Sequence, residues 1–288
     1  MEIASVISTK GGPGKTTVTA NLGAFCAEAG LKTLLLDLDT QPSLSSFYPL
    51  LHEAPGGSYQ LIAFNDANPA NVISRSEIDN LSLIVSNDPN NQLPNLLLHA
   101  ADGRLRLKNL IQYFASDYDL MLIDTQGARS VLLEMALLCS NLAISPVTPD
   151  MLAAREFRRG TLQLITDLAP YAQYGLEIPP VSIVVNKLDS TSDARLIHAS
   201  LIATFTGHPQ IKVLNSTLPA AISFRNAATR GIPVHRLEYH QPANRRSPSA
   251  LHIIRNLAIE TFPQWRDRFE AVTEEAVAKL VKEDRSNG

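Results

Sequence analysis

The stretch TKGGPGKTT, residues 9–17, decides the fold of this chain. A short run rich in β-branched residues at 3–7 precedes it, and a helical pattern over residues 16–29 follows it and stops at Gly30. A strand that leads into a glycine-rich turn at the start of a helix forms a cradle for phosphate, because backbone N–H groups surround the phosphate oxygens. The sequence therefore predicts a nucleoside triphosphate site at this turn.

Two side chains of the turn are expected to act on the phosphates and their metal ion. Lys15 places its ammonium on the β- and γ-phosphates, and the hydroxyl of Thr16 is offered to Mg²⁺. Glycines are needed beside them because side chains would keep the backbone away from the phosphates. The predicted nucleotide-binding residues of the turn are Gly11, Gly12, Pro13, Gly14, Lys15, Thr16 and Thr17.

The turn departs from the ordinary pattern G-x-x-x-x-G-K-[ST] at its first position, where Thr9 stands in place of glycine. Lys10 precedes the glycine pair instead, and the form K-G-G-x-G-K-T-T resembles the deviant Walker A motif of the ParA/MinD family of ATPases, in particular the ParA partition ATPases. The resemblance covers residues 1–234 and implies ATP and Mg²⁺ as cofactors. It also implies that Lys10 reaches across a dimer interface to the partner's nucleotide, where a second cation stabilises charge that develops during transfer.

An apolar run at residues 33–37 ends in two nearby carboxylates, Asp37 and Asp39. This segment resembles the D-x-D-P-Q switch I of the same family, although Thr40 stands where proline is usual. The resemblance implies that Asp39 orients the attacking water and touches the Mg²⁺ shell. It implies that Asp37 supports the phosphate-loop end of the strand.

A second apolar run, at residues 120–124, ends in Asp124. This is the Walker B layout, in which the aspartate holds Mg²⁺ through water. The D-x-x-G spacing from Asp124 to Gly127 looks like a switch II, although the family more often has prolines there. The predicted catalytic residues are therefore Lys10, Lys15 and Asp39, and the predicted metal-binding residues are Thr16, Asp39 and Asp124.

The segment NKLD at residues 186–189 fits N-K-x-D, the guanine-reading motif of GTPases. In ParA-like ATPases an asparagine at this strand end contacts adenine, so Asn186 fits either nucleotide, whereas Asp189 favours guanine. The resemblance also places Pro219 in a second base-contacting loop. The form of the phosphate loop and Lys10 favour ATP, and GTP stays open as an alternative.

Alternating apolar and amphipathic runs indicate the fold class. Strand-like runs recur at 81–85, 142–147, 181–186 and 211–214, and helical patterns lie at 104–115, 130–139, 151–168 and 194–205. This alternation predicts an α/β fold with a doubly wound, mostly parallel sheet flanked by helices. We expect a P-loop ATPase domain over residues 1–240 and a C-terminal helical extension over residues 241–288 packed on the same domain. Apart from the strand-like run at 81–85, residues 49–95 are weakly patterned, with loop signals at 55–58 and 87–91.

The composition excludes several classes of protein. Hydrophobic residues make up 45% of the chain and charged residues 18%, which is enough apolar material for a buried core. The chain has no apolar run of about 18 residues, so a membrane-spanning helix is not expected. Residues 1–4 do not show the basic and then apolar arrangement of a secretory signal peptide. Cys26 and Cys139 lie in apolar helical runs, which favours a core position over a disulfide or metal site. A cytoplasmic location is expected, with nucleoid association in the ATP-bound state.

Although the net charge of the chain is −3, one segment is locally basic. Residues 225–268 hold eight arginines and three acidic residues, a local formal charge of +5. Arginine suits phosphate contacts through its planar fork, so this segment predicts non-specific DNA binding, with a solvated helical face as the alternative. The candidate DNA-binding residues are Arg225, Arg230, Arg245, Arg246 and Arg255. A second candidate face carries Arg155, Arg158 and Arg159.

Together these features predict a ParA-type ATPase that dimerises with ATP, binds non-specific DNA and partitions a plasmid, chromosome or mobile element with a ParB-like partner that stimulates hydrolysis. One alternative is a positioning ATPase of the MinD or flagellar type at a membrane or polar scaffold. The tail at residues 269–283 disfavours a membrane anchor, because its helical pattern carries more acidic than basic residues. The other alternative is a GTP-dependent assembly switch.

Overall fold

Nine β-strands form one sheet in the described chain, which comprises residues 1–241 and 247–287 of a computed structural model. The strands are β1 (Glu2–Val6), β2 (Thr33–Asp37), β3 (Leu50–His52), β4 (Ser74–Ser76), β5 (Leu81–Ile84), β6 (Leu120–Asp124), β7 (Leu142–Val147), β8 (Val181–Leu188) and β9 (Ile211–Pro219). Their order across the sheet is β3-β4-β5-β2-β6-β1-β7-β8-β9. In this order across the sheet, every adjacent pair from β5 through β2, β6, β1, β7 and β8 to β9 is parallel. The strand β4 pairs antiparallel with β3 and β5.

Helices cover the sheet. They are α1 (Lys15–Glu28), α2 (Ser58–Phe64), α3 (Pro69–Val72), α4 (Leu93–His99), α5 (Arg106–Leu110), α6 (Val131–Cys139), α7 (Met151–Glu156), α8 (Gln163–Leu168), α9 (Ser192–Phe205), α10 (Ile222–Arg230), α11 (Val234–Leu237), α12 (Ala250–Thr261), α13 (Arg266–Glu270) and α14 (Glu274–Asn287). A π-helical turn, Phe157–Leu162, joins α7 to α8. Short 3₁₀ turns lie at Pro89–Asn91, Ile111–Phe114, Ala169–Tyr174 and Pro263–Trp265.

The strand β2 shows why the fold is doubly wound. All five of its residues are buried, and successive side chains point to opposite faces of the sheet. Leu34 and Leu36 join a core cluster that includes α4, α5 and α6, whereas Leu35 joins a cluster that includes α1 and α12. Helices on both faces bury the whole strand, which is why it reads as a continuous apolar run. The predicted fold class, a mostly parallel sheet flanked by helices, is confirmed.

Residues 49–95 contain more regular structure than the loop signals predicted. The strands β3 and β4 lie at one end of the sheet as short antiparallel additions. Each has three residues, too few for an alternating pattern to be read from the sequence. The helical pattern at 151–168 is likewise broken in the structure by the π turn Phe157–Leu162.

The C-terminal helices pack on the helix that follows the phosphate loop. Phe262 and Phe269 are fully buried in the same cluster as Phe25 of α1. In α14 Val277 is buried, whereas Ala276 is exposed. The chain leaves the helix between Glu270 and Glu274, so the helical phase starts again and a different face turns inward.

A buried ionic cluster fixes α11 against the end of α1. The carboxylate of Glu28 lies 2.9 Å from Nε2 of His235 and 2.6 Å from Nε of Arg236. Burial acts to raise the pKa of Glu28, but His235 and Arg236 outweigh it and leave that pKa below its usual range. Removing the carboxylate would leave a fully buried histidine and a mostly buried arginine without their anion.

Both cysteines, Cys26 and Cys139, are buried and free, as expected of core residues. No helix of the described residues is both long enough and apolar enough to cross a bilayer.

Candidate functional site

Three parallel strands bring the predicted site residues to one edge of the sheet. The strand β6 lies between β2 and β1, and Asp124 is in register with both Asp37 and Val6. The carboxyl ends of parallel strands share one edge, where ligands bind in open α/β sheets. The phosphate loop, residues 9–17, leaves β1 at this edge and enters α1.

The backbone of the phosphate loop explains two of its glycines. Gly12 and Gly14 have φ values of 87° and 95°, a left-handed conformation that side chains other than glycine rarely adopt. Gly14 is the N-cap of α1 and has no side chain to accept from the first-turn N–H groups. These donors stay available for an anion, which a helix N-terminus also favours electrostatically.

Lys15, Thr16 and Asp124 form the centre of the site. Thr16 donates its hydroxyl proton to Oδ2 of Asp124 over 2.6 Å. Burial lowers the pKa of Lys15, which is only 7% exposed, and the carboxylates of Asp124 and Asp39 act in the opposite direction. A buried ammonium beside two carboxylates is held ready to exchange them for phosphate oxygens.

Asp124 carries the clearest electrostatic signal of the site. Burial raises its pKa to about 7, the carboxylates of Asp37 and Asp39 add to this rise, and Thr16 and Lys15 oppose it. The carboxylates of Asp124 and Asp39 act on the buried ammonium of Lys15, and Asp37 adds a third negative charge that acts on Asp124, so negative charge is in excess at this edge of the sheet. A divalent cation would relieve it.

This donor set suits Mg²⁺. Mg²⁺ binds through one or two carboxylates, water and substrate phosphates rather than through an all-protein cage. The described residues contain no group of three or more His, Cys, Asp and Glu arranged as a metal cage. Thr16, Asp39 and Asp124 are the residues that would hold the ion, which would neutralise charge on the phosphate oxygens.

Asp37 anchors the loop after β2, at the end of the strand that faces the phosphate loop. Its carboxylate accepts from the backbone N–H of Asp39 over 3.0 Å, and from the N–H and hydroxyl of Ser45 over 2.8 and 2.7 Å. Ser86 extends this contact: its N–H donates to Oγ of Ser45 and its hydroxyl donates to the carbonyl of Asp39. Burial raises the pKa of Asp37 to about 6. The anchor holds Asp39, which is half-buried, at the mouth of the site.

A cleft of about 740 Å³ opens above these residues. The cleft lies between the phosphate loop, the loop after β2, the loop after β6 and α10. Its lining includes Lys15, Thr16, Asp39, Gln126, Gly127 and Ala228. Neither Asn186 nor Pro219 lines this cleft; Pro219 lines a separate cleft of about 840 Å³ beside β9 and α12.

Asn186 and its neighbour Lys187 contact the phosphate loop itself. Nδ2 of Asn186 donates to the carbonyl of Pro13 over 2.6 Å, and Nζ of Lys187 donates to the carbonyl of Gly12 over 2.8 Å. A Cβ on Gly14 would lie 2.1 Å from Nδ2 of Asn186, so this glycine is also required by packing. The expectation that Asn186 and Pro219 contact the base stays a prediction.

Asp189 caps the turn before α9. One of its carboxylate oxygens accepts from both the N–H and the hydroxyl of Thr191. These hydrogen bonds lower the pKa of the exposed Asp189 carboxyl below its usual value. Asp189 therefore has a local structural partner that the N-K-x-D pattern did not reveal.

Lys10 lies half-buried near the start of α7. Burial acts to raise the pKa of Asp150, but hydrogen bonds from Thr148 and Ala153, together with the charge of Lys10, leave it below its usual range. Thr148 and Lys10 both line a small cavity of about 120 Å³ beside the phosphate loop. The role of Lys10 across a dimer interface stays a prediction.

Two glycines that sequence reasoning did not use as packing partners touch the phosphate loop. A Cβ on Gly127 would lie 2.7 Å from Cα of Gly11, so the loop after β6 lies directly on the phosphate loop. A Cβ on Gly160 would lie 1.9 Å from Oγ1 of Thr9. No sequence motif indicates that position 160 must be glycine, because the reason is a contact with Thr9, which is distant in the sequence.

The candidate DNA-binding arginines differ in their surroundings. Arg225 and Arg230 of α10 are exposed, whereas Arg255 is half-buried and donates to the carbonyl of Val272 over 2.6 Å. Arg245 and Arg246 lie outside the described residues. The other described arginines of the basic segment have protein partners: Arg236 contacts Glu28, Arg266 contacts Glu270, and Arg268 donates to the carbonyl of Gly30.

Comparisons with known proteins agree with this geometry. A protein-family model described as an AAA domain matches residues 1–172, more than half of the chain. The chromosome-partitioning ATPase Soj of Treponema pallidum is 28% identical over 230 residues, which cover 79% of this chain and 87% of Soj.

Two solved structures share the fold. An ATP complex of a McdA variant from Cyanothece has a TM-score of 0.71 at 20% identity and covers 96% of each chain. The septum site-determining protein MinD of Pyrococcus horikoshii, complexed with Mg-ADP, has a TM-score of 0.65 at 22% identity and covers 93% of this chain and 98% of MinD.

Proposed function

This chain belongs to the ParA/MinD family of P-loop ATPases, and from that premise we propose that it is a Mg²⁺-dependent partition ATPase. ATP binding joins two subunits, the dimer binds DNA without sequence preference, and hydrolysis stimulated by a ParB-like partner releases the DNA. The cargo is a plasmid, a chromosome or a mobile element. The chromosome-partitioning activity named for the Treponema relative supports this assignment.

The cluster of Lys15, Thr16 and Asp124 carries the proposal. A buried ammonium, a hydroxyl 2.6 Å from a carboxylate, and a helix N-terminus without a side-chain cap lie at one edge of the sheet. This set binds a triphosphate and its Mg²⁺ in P-loop enzymes. The nucleotide complexes of McdA and MinD, which share the fold, support the same ligands.

The residues around this cluster suggest slow turnover by the subunit alone. Among the described residues, no arginine lines the cleft of about 740 Å³. An arginine beside the transferred phosphoryl group accelerates hydrolysis by orders of magnitude in this reaction class. We propose that Lys10 of a second subunit supplies the missing cation and that the partner protein stabilises this arrangement.

ATP is the nucleotide that we propose. Asp189 accepts from Thr191, so part of its acceptor capacity is used locally rather than on a guanine ring. Competition of GTP against labelled ATP tests this choice directly. Displacement at equal concentration would favour the GTP-dependent switch instead.

We propose that DNA binding uses the exposed arginines of the basic segment. Arg225 and Arg230 lie on α10, the helix that also contributes Ala228 to the nucleotide cleft. A DNA-binding face on this helix would therefore be adjacent to the nucleotide. Several phosphate contacts would make the affinity fall steeply with salt.

A shift assay on random-sequence DNA tests the function. Wild-type protein is compared with ATP, with ADP and without nucleotide, and Lys15→Ala serves as the nucleotide-binding control. Binding that requires ATP and disappears in Lys15→Ala is expected. Binding in every nucleotide state, or in none, would contradict the proposed switch.

A charge-reversal pair tests the DNA surface. Arg225→Glu combined with Arg230→Glu is expected to weaken DNA binding at least tenfold, because two phosphate contacts are lost and two negative charges are introduced. The salt dependence of the remaining binding should also become less steep. Arg266→Glu is the matched control, because Arg266 belongs to the same segment but pairs with Glu270. Equal loss in both variants would show that only overall charge matters.

A further inference from the structure

Two side chains at the end of β8 hold consecutive carbonyl groups of the phosphate loop. Nζ of Lys187 donates to the carbonyl of Gly12, and Nδ2 of Asn186 donates to the carbonyl of Pro13. Asn186 is 5% exposed, and its Oδ1 accepts from the N–H of Lys187 over 2.8 Å. Nδ2 therefore connects β8 to the loop, while Oδ1 binds the backbone of β8 itself.

The direction of a carbonyl fixes the direction of the next N–H. A trans peptide is planar, so its C=O and N–H point in opposite directions. Holding the carbonyl of Pro13 toward Asn186 therefore directs the N–H of Gly14 away from Asn186. A carbonyl that turned into the phosphate site would instead present a partial negative charge to the phosphates.

The loop depends on this orientation because one donor is missing. Pro13 has no N–H, so the turn offers one backbone donor fewer than a turn with an ordinary residue at this position. The carbonyl of Gly12 precedes that proline, and Lys187 binds it directly. The remaining donors, beginning with Gly14, must therefore carry the binding of the phosphates.

Lys187 reaches the loop from an unusual backbone conformation. Its φ is 59°, in the left-handed region, which costs free energy for a residue with a side chain. The surrounding contacts hold it there: its N–H is bound by Asn186 and its Nζ by Gly12. Such conformations persist where neighbouring structure enforces them, often at ligand sites.

We propose that Lys187, together with Asn186, is a positioning residue of the nucleotide site. Lys187 keeps the carbonyl of Gly12 turned away from the phosphates, and Asn186 holds the carbonyl of Pro13 so that the N–H of Gly14 stays directed away from Asn186 and toward the phosphate site. This inference rests on the proposed nucleotide binding. It assigns to the N-K pair a role on the phosphate loop, in addition to the base contact that the sequence predicts for Asn186.

Calorimetry of the full chain with Mg-ADP and Mg-ATP tests the proposal. Lys187→Met keeps the stem of the side chain and removes the donor, and it is expected to weaken both nucleotides about tenfold, the scale of a lost charge-assisted hydrogen bond. Lys187→Arg retains a donor and is expected to restore most of the affinity. Lys32→Met is the matched control, because Lys32 is exposed and immediately precedes β2, at the opposite edge of the sheet.

AMP separates positioning of the loop from contact with the base. AMP has no β-phosphate, so its competition against a fluorescent ADP analogue is expected to be the same in wild type and in Lys187→Met. The melting temperature without nucleotide is expected to stay within about 3 °C, since the contact is exposed at its lysine end.

Three results would overturn the inference. The first is an unchanged affinity of Lys187→Met for Mg-ADP. The second is an equal loss for AMP, which would place Lys187 on the base. The third is a large fall in melting temperature that Lys187→Arg does not rescue, which would make the contact structural. Failure of wild-type protein to bind any nucleotide would instead contradict the proposed function, so the two failures are distinguishable.

Discussion

Gly160→Ala is predicted to change the sign of its effect on stability when Thr9 is also replaced by glycine. Gly160 lies in the π turn Phe157–Leu162, which packs on the phosphate loop. A Cβ at this position would lie 1.9 Å from Oγ1, 2.8 Å from Cβ and 3.3 Å from Cγ2 of Thr9. Threonine is branched at Cβ, so rotation of its side chain cannot clear all three contacts.

Two effects of opposite sign set the magnitude. Overpacking of this kind costs about 1–3 kcal/mol. Alanine in place of glycine in a helical segment gains about 1 kcal/mol. The free energy of unfolding should therefore fall by about 0–2 kcal/mol in Gly160→Ala. In the Thr9→Gly background all three contacts vanish, and the same change should raise it by up to about 1 kcal/mol.

A double-mutant cycle by urea denaturation measures the coupling. It compares wild type, each single variant and the double variant, at matched slopes with denaturant. The expected coupling energy is about 1–3 kcal/mol, well above the ~0.5 kcal/mol within which independent sites add. In thermal melts each 1 kcal/mol corresponds to about 2–4 °C for a chain of this size class.

Gly103→Ala is the control for a clash without coupling. Its Cβ would lie 1.9 Å from the carbonyl oxygen of Leu97, so its cost should not depend on the residue at position 9. Additive effects of Gly160→Ala and Thr9→Gly would refute the reasoning, because the packing of the π turn on the loop would then not limit either residue. A sign change would show that the side chain of Thr9 is the reason why position 160 requires glycine.

Two further predictions concern buried carboxylates. Burial raises the pKa of Asp37 above its unfolded value, so the folded state binds more protons between about pH 4 and 6 and unfolding free energy falls as pH rises through that window. Ser45→Ala removes a donor to Asp37, so we expect urea denaturation to show a larger cost at pH 8 than at pH 4, by about 1–2 kcal/mol; an equal cost at both would count against this view. Glu28→Ala removes the buried carboxylate that lies 2.9 Å from His235 and 2.6 Å from Arg236, and it should cost about 3–5 kcal/mol in urea denaturation at pH 7; a loss below about 1 kcal/mol would show that these contacts contribute little to stability in solution.

Sequence patterns were sufficient to locate the phosphate loop and the buried strands. Glycines at positions 12 and 14 are required by the left-handed backbone, and Lys15 and Thr16 by phosphate and metal chemistry, so residue types alone indicated this site. The run at β2 is buried on both faces, and continuous burial produces a continuous apolar signal. These features are local, because each depends on residues within about ten positions.

Sequence reasoning was less successful where function follows from packing. The sequence did not identify the partners of Asp37, which are Ser45 and the backbone N–H of Asp39. The N-K pair at the end of β8 binds the phosphate loop across more than 170 residues of chain, and the sequence pattern gave no indication of the Lys187 contact.

The phosphate and metal chemistry of this chain could be predicted from residue order, because strand, glycine turn, lysine and threonine follow one another locally along the chain. The residues that position this chemistry became visible only in the folded structure. Position 160 requires glycine because a Cβ there would lie 1.9 Å from Oγ1 of Thr9. Lys187 can bind the phosphate loop because β8 ends beside the carbonyl of Gly12. Such requirements come from contacts between distant segments, and a contact of that kind leaves no spacing or periodicity in the sequence from which it could be read.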